Sequence, residues 1–254
     1  MTHKRTALIT GATSGIGEAT ARLLATRHFK LILCGRRKDR LAQLQQELTG
    51  VTEATTLSFD VRDREAVKKA CQSLGEEWKK IDVLINNAGN AHGLDPIQSG
   101  SIDDWDAMID INVKGLLYVS REILPGMVER KSGHIINLGS IAAKEVYANG
   151  NVYCASKSAV DALSQGMRID LNAHCIKVTV IHPGLVETEF SRVRFKGDDS
   201  RAANVYKGMQ PLIGADIADL ILFALTRPAH VMIAELVVLP TAQASATVVK
   251  RQGN

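Results

Sequence analysis

The 254 residues carry 31 Lys and Arg against 27 Asp and Glu, a net charge of +4 spread along the chain without a basic arm or stripe, which argues against a nucleic-acid partner. With 45% apolar and 23% charged residues, the composition suits a globular chain with a sizeable core and excludes general disorder. Cys34, Cys71, Cys154 and Cys175 are too scattered for a zinc site or a small disulfide framework. No apolar run approaches the roughly 18 residues of a membrane helix, and the first apolar run meets a glycine loop too early for a secretory leader. A cytoplasmic protein with reduced thiols and no membrane partner is expected.

Apolar or β-branched runs recur at residues 6–10, 30–34, 55–59, 83–85, 134–138, 177–181 and 235–239. Between them lie stretches with helical spacing, such as Leu41, Leu44 and Leu48, or Ala159, Leu163, Met167 and Leu171. Strands alternating with helices predict an α/β fold: one Rossmann-type, doubly wound parallel sheet of about seven strands with helices on both faces, forming a single domain over residues 1–254. The runs show no clean apolar–polar alternation, as expected when both faces of a sheet are covered. Residues 184–213 read as a substrate lid, because loops at the carboxyl ends of such strands carry ligands. The tail, residues 240–254, has Val248 and Val249 as its only bulky apolar pair, so its order should depend on packing against the fold or a partner.

The first strand runs into Thr10-Gly11-Ala12-Thr13-Ser14-Gly15-Ile16-Gly17 and then a helical stretch. Glycines let backbone amides and a helix N-terminus approach a pyrophosphate, which makes Gly11, Thr13, Ser14, Gly15, Ile16 and Gly17 cofactor-binding candidates. The second strand ends in Cys34-Gly35-Arg36-Arg37, where a fold that prefers NAD would place a carboxylate against the ribose 2′-hydroxyl. A guanidinium there pairs instead with a 2′-phosphate, so Arg36 and Arg37 predict NADP(H).

Tyr153 and Lys157 stand four residues apart at the start of a helical run and so share a face. The ammonium is expected to lower the tyrosine pKa and fit it for proton transfer to a carbonyl oxygen. Ser140, just past the fifth strand, is placed to hydrogen-bond the same oxygen.

With Asp60-Val61 after the third strand, Asn86-Asn87-Ala88-Gly89 after the fourth, Asn112 in a helix and His182-Pro183-Gly184 after the sixth, the chain resembles a short-chain dehydrogenase/reductase over essentially its full length. That resemblance implies that Asp60 and Val61 contact the adenine and that Asn87, Ala88 and Gly89 support the cofactor. It implies that Lys157 binds the nicotinamide ribose as well as Tyr153, and that Asn112 holds a water that relays protons to Lys157. Pro183, Gly184, Val186 and Thr188 match family positions around the nicotinamide. A homotetramer is implied too.

The segment from Pro183 to Asp198 further resembles a subgroup of NADP-dependent enzymes acting on short 3-hydroxy acids, serine and allo-threonine among them, with related reductases of sulfoacetaldehyde. A small anionic substrate needs a fixed cation. Arg194 in the lid is the first choice and Lys144 the second, with Ser140, Tyr147 and Tyr153 completing the substrate pocket. The seven histidines show no ligand spacing, and no metal is expected. The competing reading from a different class is a nucleotide sensor that keeps the fold without turnover.

Overall fold

The computed structural model describes residues 4–252. Strand β1 (Thr6–Thr10) feeds α1 (Gly15–Thr26), and β2 (Lys30–Gly35) feeds α2 (Lys38–Leu48). Strand β3 (Ala54–Ser58) leads to α3 (Arg64–Gln72), the single turn α4 (Glu76–Lys79) and β4 (Val83–Asn86). Helix α5 (Ile102–Ile109) continues through a π turn at Asp110–Lys114 into α6 (Gly115–Arg130), which returns to β5 (Gly133–Leu138). A 3₁₀ turn at Ile141–Ala143 and α7 (Asn151–Leu171) lead to β6 (Ile176–Pro183). The region expected to form a lid holds β7 (Val186–Glu187), α8 (Phe190–Arg194), α9 (Asp199–Asn204) and β8 (Leu212–Ile213), and α10 (Gly214–Leu225) and β9 (Glu235–Val238) follow.

All seven expected runs become strands of one sheet, ordered β3-β2-β1-β4-β5-β6-β9 and parallel throughout, while β7 and β8 pair separately. The largest boundary shift is at β6, which runs on through His182 to Pro183 because its last residues pair with Val237 and Val238 of β9.

Successive strand residues face two different cores, which explains the missing alternation. Ala7 and Ile9, Leu31 and Leu33, and Val83 and Ile85 pack on the side of α1, α2 and α10. Leu8, Ile32, Leu84 and Ile135 pack on the other side with Val67 of α3, Val119 and Ile123 of α6 and Leu171 of α7. Every one of these side chains loses its water, so both inward positions of the pleat must be apolar. The order of connection reverses between β1 and β4, and the carboxyl ends of these strands diverge there into a cleft, as the topology requires.

The tail folds back on its own chain. Gln243 bridges Val249, Lys250 N donates to Ala242 O at 2.8 Å, and Gln252 N donates to Gly208 O at 2.6 Å. Among the described residues no helix is long and apolar enough to cross a membrane.

Candidate active site

A cleft of about 510 Å³ opens at the switch point between β1 and β4. Its floor is the glycine loop. Gly11 and Gly15 adopt φ of 67° and 53°, in the left-handed region that a side chain disfavours. Gly17 stands behind the loop: a Cβ there would lie 2.3 Å from Gly11 O, so the residue admits close packing of helix on loop. The hydroxyl of Thr10 accepts hydrogen bonds from the backbone N–H groups of Asn87 and Ala88, each at 3.0 Å, and Asn87 Nδ2 donates to Thr10 O at 2.9 Å. These bonds fix the Asn87–Gly89 turn against the first loop. Thr13, Ser14, Gly15 and Ile16 line the floor, Asp60 and Val61 one flank, and Pro183, Gly184, Val186 and Thr188 the roof.

The two arginines after β2 have different surroundings. Arg37 donates through Nε to Thr13 Oγ1 at 3.1 Å, through Nη2 to Ser14 Oγ at 2.8 Å and through Nη1 to Glu189 Oε2 at 2.7 Å. Arg36 is 57% exposed at the cleft rim, with Asp60 at 3.5 Å. Arg36 is therefore the guanidinium open to an incoming anion, and Arg37 is already engaged with the glycine loop and with Glu189.

Deeper in, Ser140, Tyr153 and Lys157 meet at the carboxyl end of β5. Tyr153 and Lys157 project from the first turns of α7 into the cleft, which Ser140 also lines, its hydroxyl accepting from Ala142 N at 3.1 Å. Lys157 Nζ donates to Leu138 O at 2.9 Å, and burial lowers its pKa to about 8. The expectation that this ammonium depresses the tyrosine pKa is not met. Burial pushes the Tyr153 hydroxyl well above its usual value, reinforced by Tyr147, and the largest opposing pulls come from Ser140 and the Arg194 guanidinium. Tyr153 and Lys157 do share one face of α7, but the ammonium donates to a strand carbonyl.

Asn112 lies in the π turn, buried behind the cleft wall. Its Oδ1 accepts from Asn90 N at 2.9 Å, and its Nδ2 donates to Asn90 O at 2.8 Å and to Ser156 Oγ at 3.0 Å. A Cβ on Gly89 would touch both Asn112 Oδ1 at 2.8 Å and Lys157 Nζ at 3.4 Å, so Gly89 opens the space between the two groups.

Lys144 is a correction. Its ammonium turns away from the cleft into a cluster behind Ser140, where it contacts Asp161 Oδ2 at 2.8 Å and Glu235 Oε1 at 2.7 Å. The 3₁₀ turn after Ser140 rotates the side chain toward α7 and β9, and two carboxylates hold it there. His182, fully buried, fills the space between this cluster and the backbone of Ser140, with Nδ1 3.0 Å from Ser140 O. Lys144→Ala should therefore leave substrate KM nearly unchanged while lowering stability by about 2 kcal/mol in denaturant titrations, because the carboxylates of Asp161 and Glu235 lose their shared cation. A large rise in KM with unchanged stability would restore Lys144 to the substrate pocket.

Arg194 does reach the cleft. Its guanidinium lies over the rings of Tyr147 and Tyr153, 5.5 Å from each centroid, and its Nε donates to Gly93 O at 3.2 Å.

Sequence reasoning missed four contributors. Glu189 forms ion pairs with Arg37 and Arg40, and Phe190 packs against Tyr153 with ring centroids 5.6 Å apart. Asn90 is clamped by Asn112. Gln243, from the tail, accepts from Leu185 N at 2.8 Å through Oε1 and lines the cleft. Glu189 and Phe190 lay in the segment read as a lid, but a glutamine in a weakly patterned tail carries no local signal.

Residues 5–199 match the short chain dehydrogenase family. The chain is 47% identical over 240 residues to the NADP-dependent 3-hydroxy acid dehydrogenase YdfG of Salmonella typhi, covering 94% of this chain and 96% of that one. It is 43% identical over 238 residues to sulfoacetaldehyde reductase 2 of Chromohalobacter salexigens, covering 93% and 94%. Among solved structures, the closed form of serine dehydrogenase complexed with NADP+ superposes with a TM-score of 0.91 at 46% identity, covering 97% of this chain and all of that one. The chain belongs to the short-chain dehydrogenase/reductase family.

Proposed function

We propose that the protein is an NADP(H)-dependent oxidoreductase that interconverts a small anionic carbonyl compound and its alcohol, the anionic group standing one carbon from the reacting carbon. The observation that carries this reading is Arg194, a guanidinium held over Tyr147 and Tyr153 within the cleft that contains Ser140. The names of the relatives point the same way. A 3-hydroxy acid and sulfoacetaldehyde each set one carbon between the reacting carbon and a carboxylate or sulfonate.

The residues present fit the dinucleotide, because the left-handed Gly11 and Gly15 leave the loop open to a pyrophosphate and Arg36 offers an exposed cation at the rim. Thr13, Ser14, Gly15 and Ile16 would cradle the phosphates, Asp60 and Val61 would flank the adenine, and the Asn87–Gly89 turn, Lys157 and Thr188 would hold the nicotinamide half. When bound, NADPH supplies the hydride that reduces the carbonyl carbon. Tyr153 donates a proton to the carbonyl oxygen in reduction and takes it back in oxidation, its raised pKa keeping that proton in place at neutral pH. Ser140 steadies the developing oxyanion by hydrogen bonding. Phe190 covers the tyrosine ring and excludes water, and Arg194 fixes the substrate anion and so orients the carbonyl.

The test follows NADPH oxidation with sulfoacetaldehyde, malonic and methylmalonic semialdehydes, succinic semialdehyde and a neutral aldehyde, and the reverse reaction with serine, allo-threonine and 3-hydroxypropionate. Substrates with the one-carbon spacing are expected to exceed both succinic semialdehyde, whose carboxylate is one carbon further out, and the neutral aldehyde. Arg194→Ala should lower kcat/KM for the best anion by roughly 30- to 100-fold and change the neutral aldehyde only a few-fold, the loss being a charge-assisted contact of about 2–3 kcal/mol. Equal turnover of neutral and anionic aldehydes would replace this reading with a broad carbonyl reductase.

A further inference from the structure

The carboxylate of Glu189, the residue preceding α8, is shared between two arginines of another element. Oε2 accepts from Arg37 Nη1 and Oε1 from Arg40 Nη1, each at 2.7 Å. The opposite edge of Arg37 grips the glycine loop through Thr13 Oγ1 and O and through Ser14 Oγ. One guanidinium is thus a member of both the floor and the lid. On the same side of the cleft, Thr188 presses on Gly15 so closely that a Cβ there would lie 3.0 Å from Thr188 Cγ2. The lid is therefore pinned to the floor at adjacent residues, once by contact and once by charge. Gly15, Arg37, Thr188 and Glu189 all line the cleft that would hold the dinucleotide, so the joint forms part of its wall. Arg36 remains exposed at the rim for a 2′-phosphate, so the joint and the cofactor do not compete for the same cation.

We propose that Glu189 is a latch, whose bridge to Arg37 and Arg40 holds the lid over the bound dinucleotide and sets the rate at which it leaves. The proposal rests on the NADP(H) reading and is independent of the carbonyl substrate. The three side chains are between 41% and 49% exposed, so the bridge opens readily and responds to salt. A joint of this strength governs a release rate rather than the stability of the fold.

The experiment measures NADPH release by stopped-flow fluorescence, with excess NADP+ as the chase, in the full-length protein. Glu189→Gln is expected to speed release by roughly tenfold, the combined effect of two half-exposed ion pairs. Arg40→Gln should reproduce much of that gain although Arg40 does not line the cleft, and the double variant should be no faster than Glu189→Gln. Raising the salt concentration should accelerate the wild type more than either variant. Unchanged release in Glu189→Gln overturns the latch. Slower release or tighter binding also overturns it, because the carboxylate would then be competing with the 2′-phosphate for Arg37. Additive effects of the two substitutions would show that they act separately and not through one bridge. A wild-type protein that fails to bind NADPH at all refutes the cofactor reading itself, an outcome distinct from binding with an unaltered release rate.

Discussion

Tyr153→Phe should reduce kcat by roughly a thousandfold, within the range that a general acid contributes, while NADPH titrated by fluorescence binds about as before. The substitution deletes one hydroxyl. The ring keeps its packing against Phe190 and under Arg194, so the walls of the cleft should hold their shape. Ser140→Ala removes only the oxyanion partner and leaves the proton donor in place, so it should cost less. Measured together, turnover and binding also separate an enzyme from a nucleotide sensor. A sensor would bind NADPH equally in both forms and show no turnover to lose. If Tyr153→Phe retains turnover within tenfold of the wild type, another group supplies the proton.

The second large effect is on stability in mild acid. His134 is buried in β5, with its Nε2 2.8 Å from Thr179 Oγ1, and burial, reinforced by Arg5 and Lys177, lowers its pKa to about 3. His182 is lowered as well, chiefly by burial and by the Lys144 ammonium. A histidine whose pKa is lower folded than unfolded takes up its proton first in the unfolded chain. Its contribution is thus fully present above an unfolded pKa of about 6.5 and is lost as pH falls, at about 1.4 kcal/mol per pH unit for each such histidine. Between pH 7.5 and pH 5, His134 alone should lower the unfolding free energy by about 2 kcal/mol. Denaturant midpoints at the two pH values test this, and His134→Gln, which does not titrate, should show a smaller fall. Equal stability at both pH values would mean that folding does not lower the His134 pKa.

What was legible in the sequence follows from what is local. Each strand appears as a short apolar run because both of its faces are buried, and the glycine loop is contiguous. The pairing of Tyr153 with Lys157 follows from helical geometry. Where the reading failed, distant partners decided the outcome. Lys144 is near Ser140 in sequence, but Asp161 of α7 and Glu235 of β9 claim its ammonium, and no local pattern reveals carboxylates that arrive from two later elements. Arg36 and Arg37 look interchangeable, and only their opposite orientations at the end of β2 divide them between rim and joint. The direction of the tyrosine pKa shift is hidden in the sequence for a related reason. Proximity on a helix does not reveal that a strand carbonyl binds the ammonium, or that the hydroxyl is buried.

Gly184 and Gln243 also constrain each other across a long stretch of chain. A Cβ on Gly184 would lie 2.3 Å from Gln243 Oε1, the same atom that accepts the Leu185 N–H. A larger residue at 184 therefore demands a shorter one at 243, and a shorter one at 243 leaves a backbone donor of the cleft roof without its acceptor. The steric and hydrogen-bond demands on the two positions are thus coupled, and substitutions at them are expected to occur together. Relatives that abandon the glycine should have abandoned the glutamine too, and grafting a tail from such a relative onto this fold would require exchanging the roof residue in the same step.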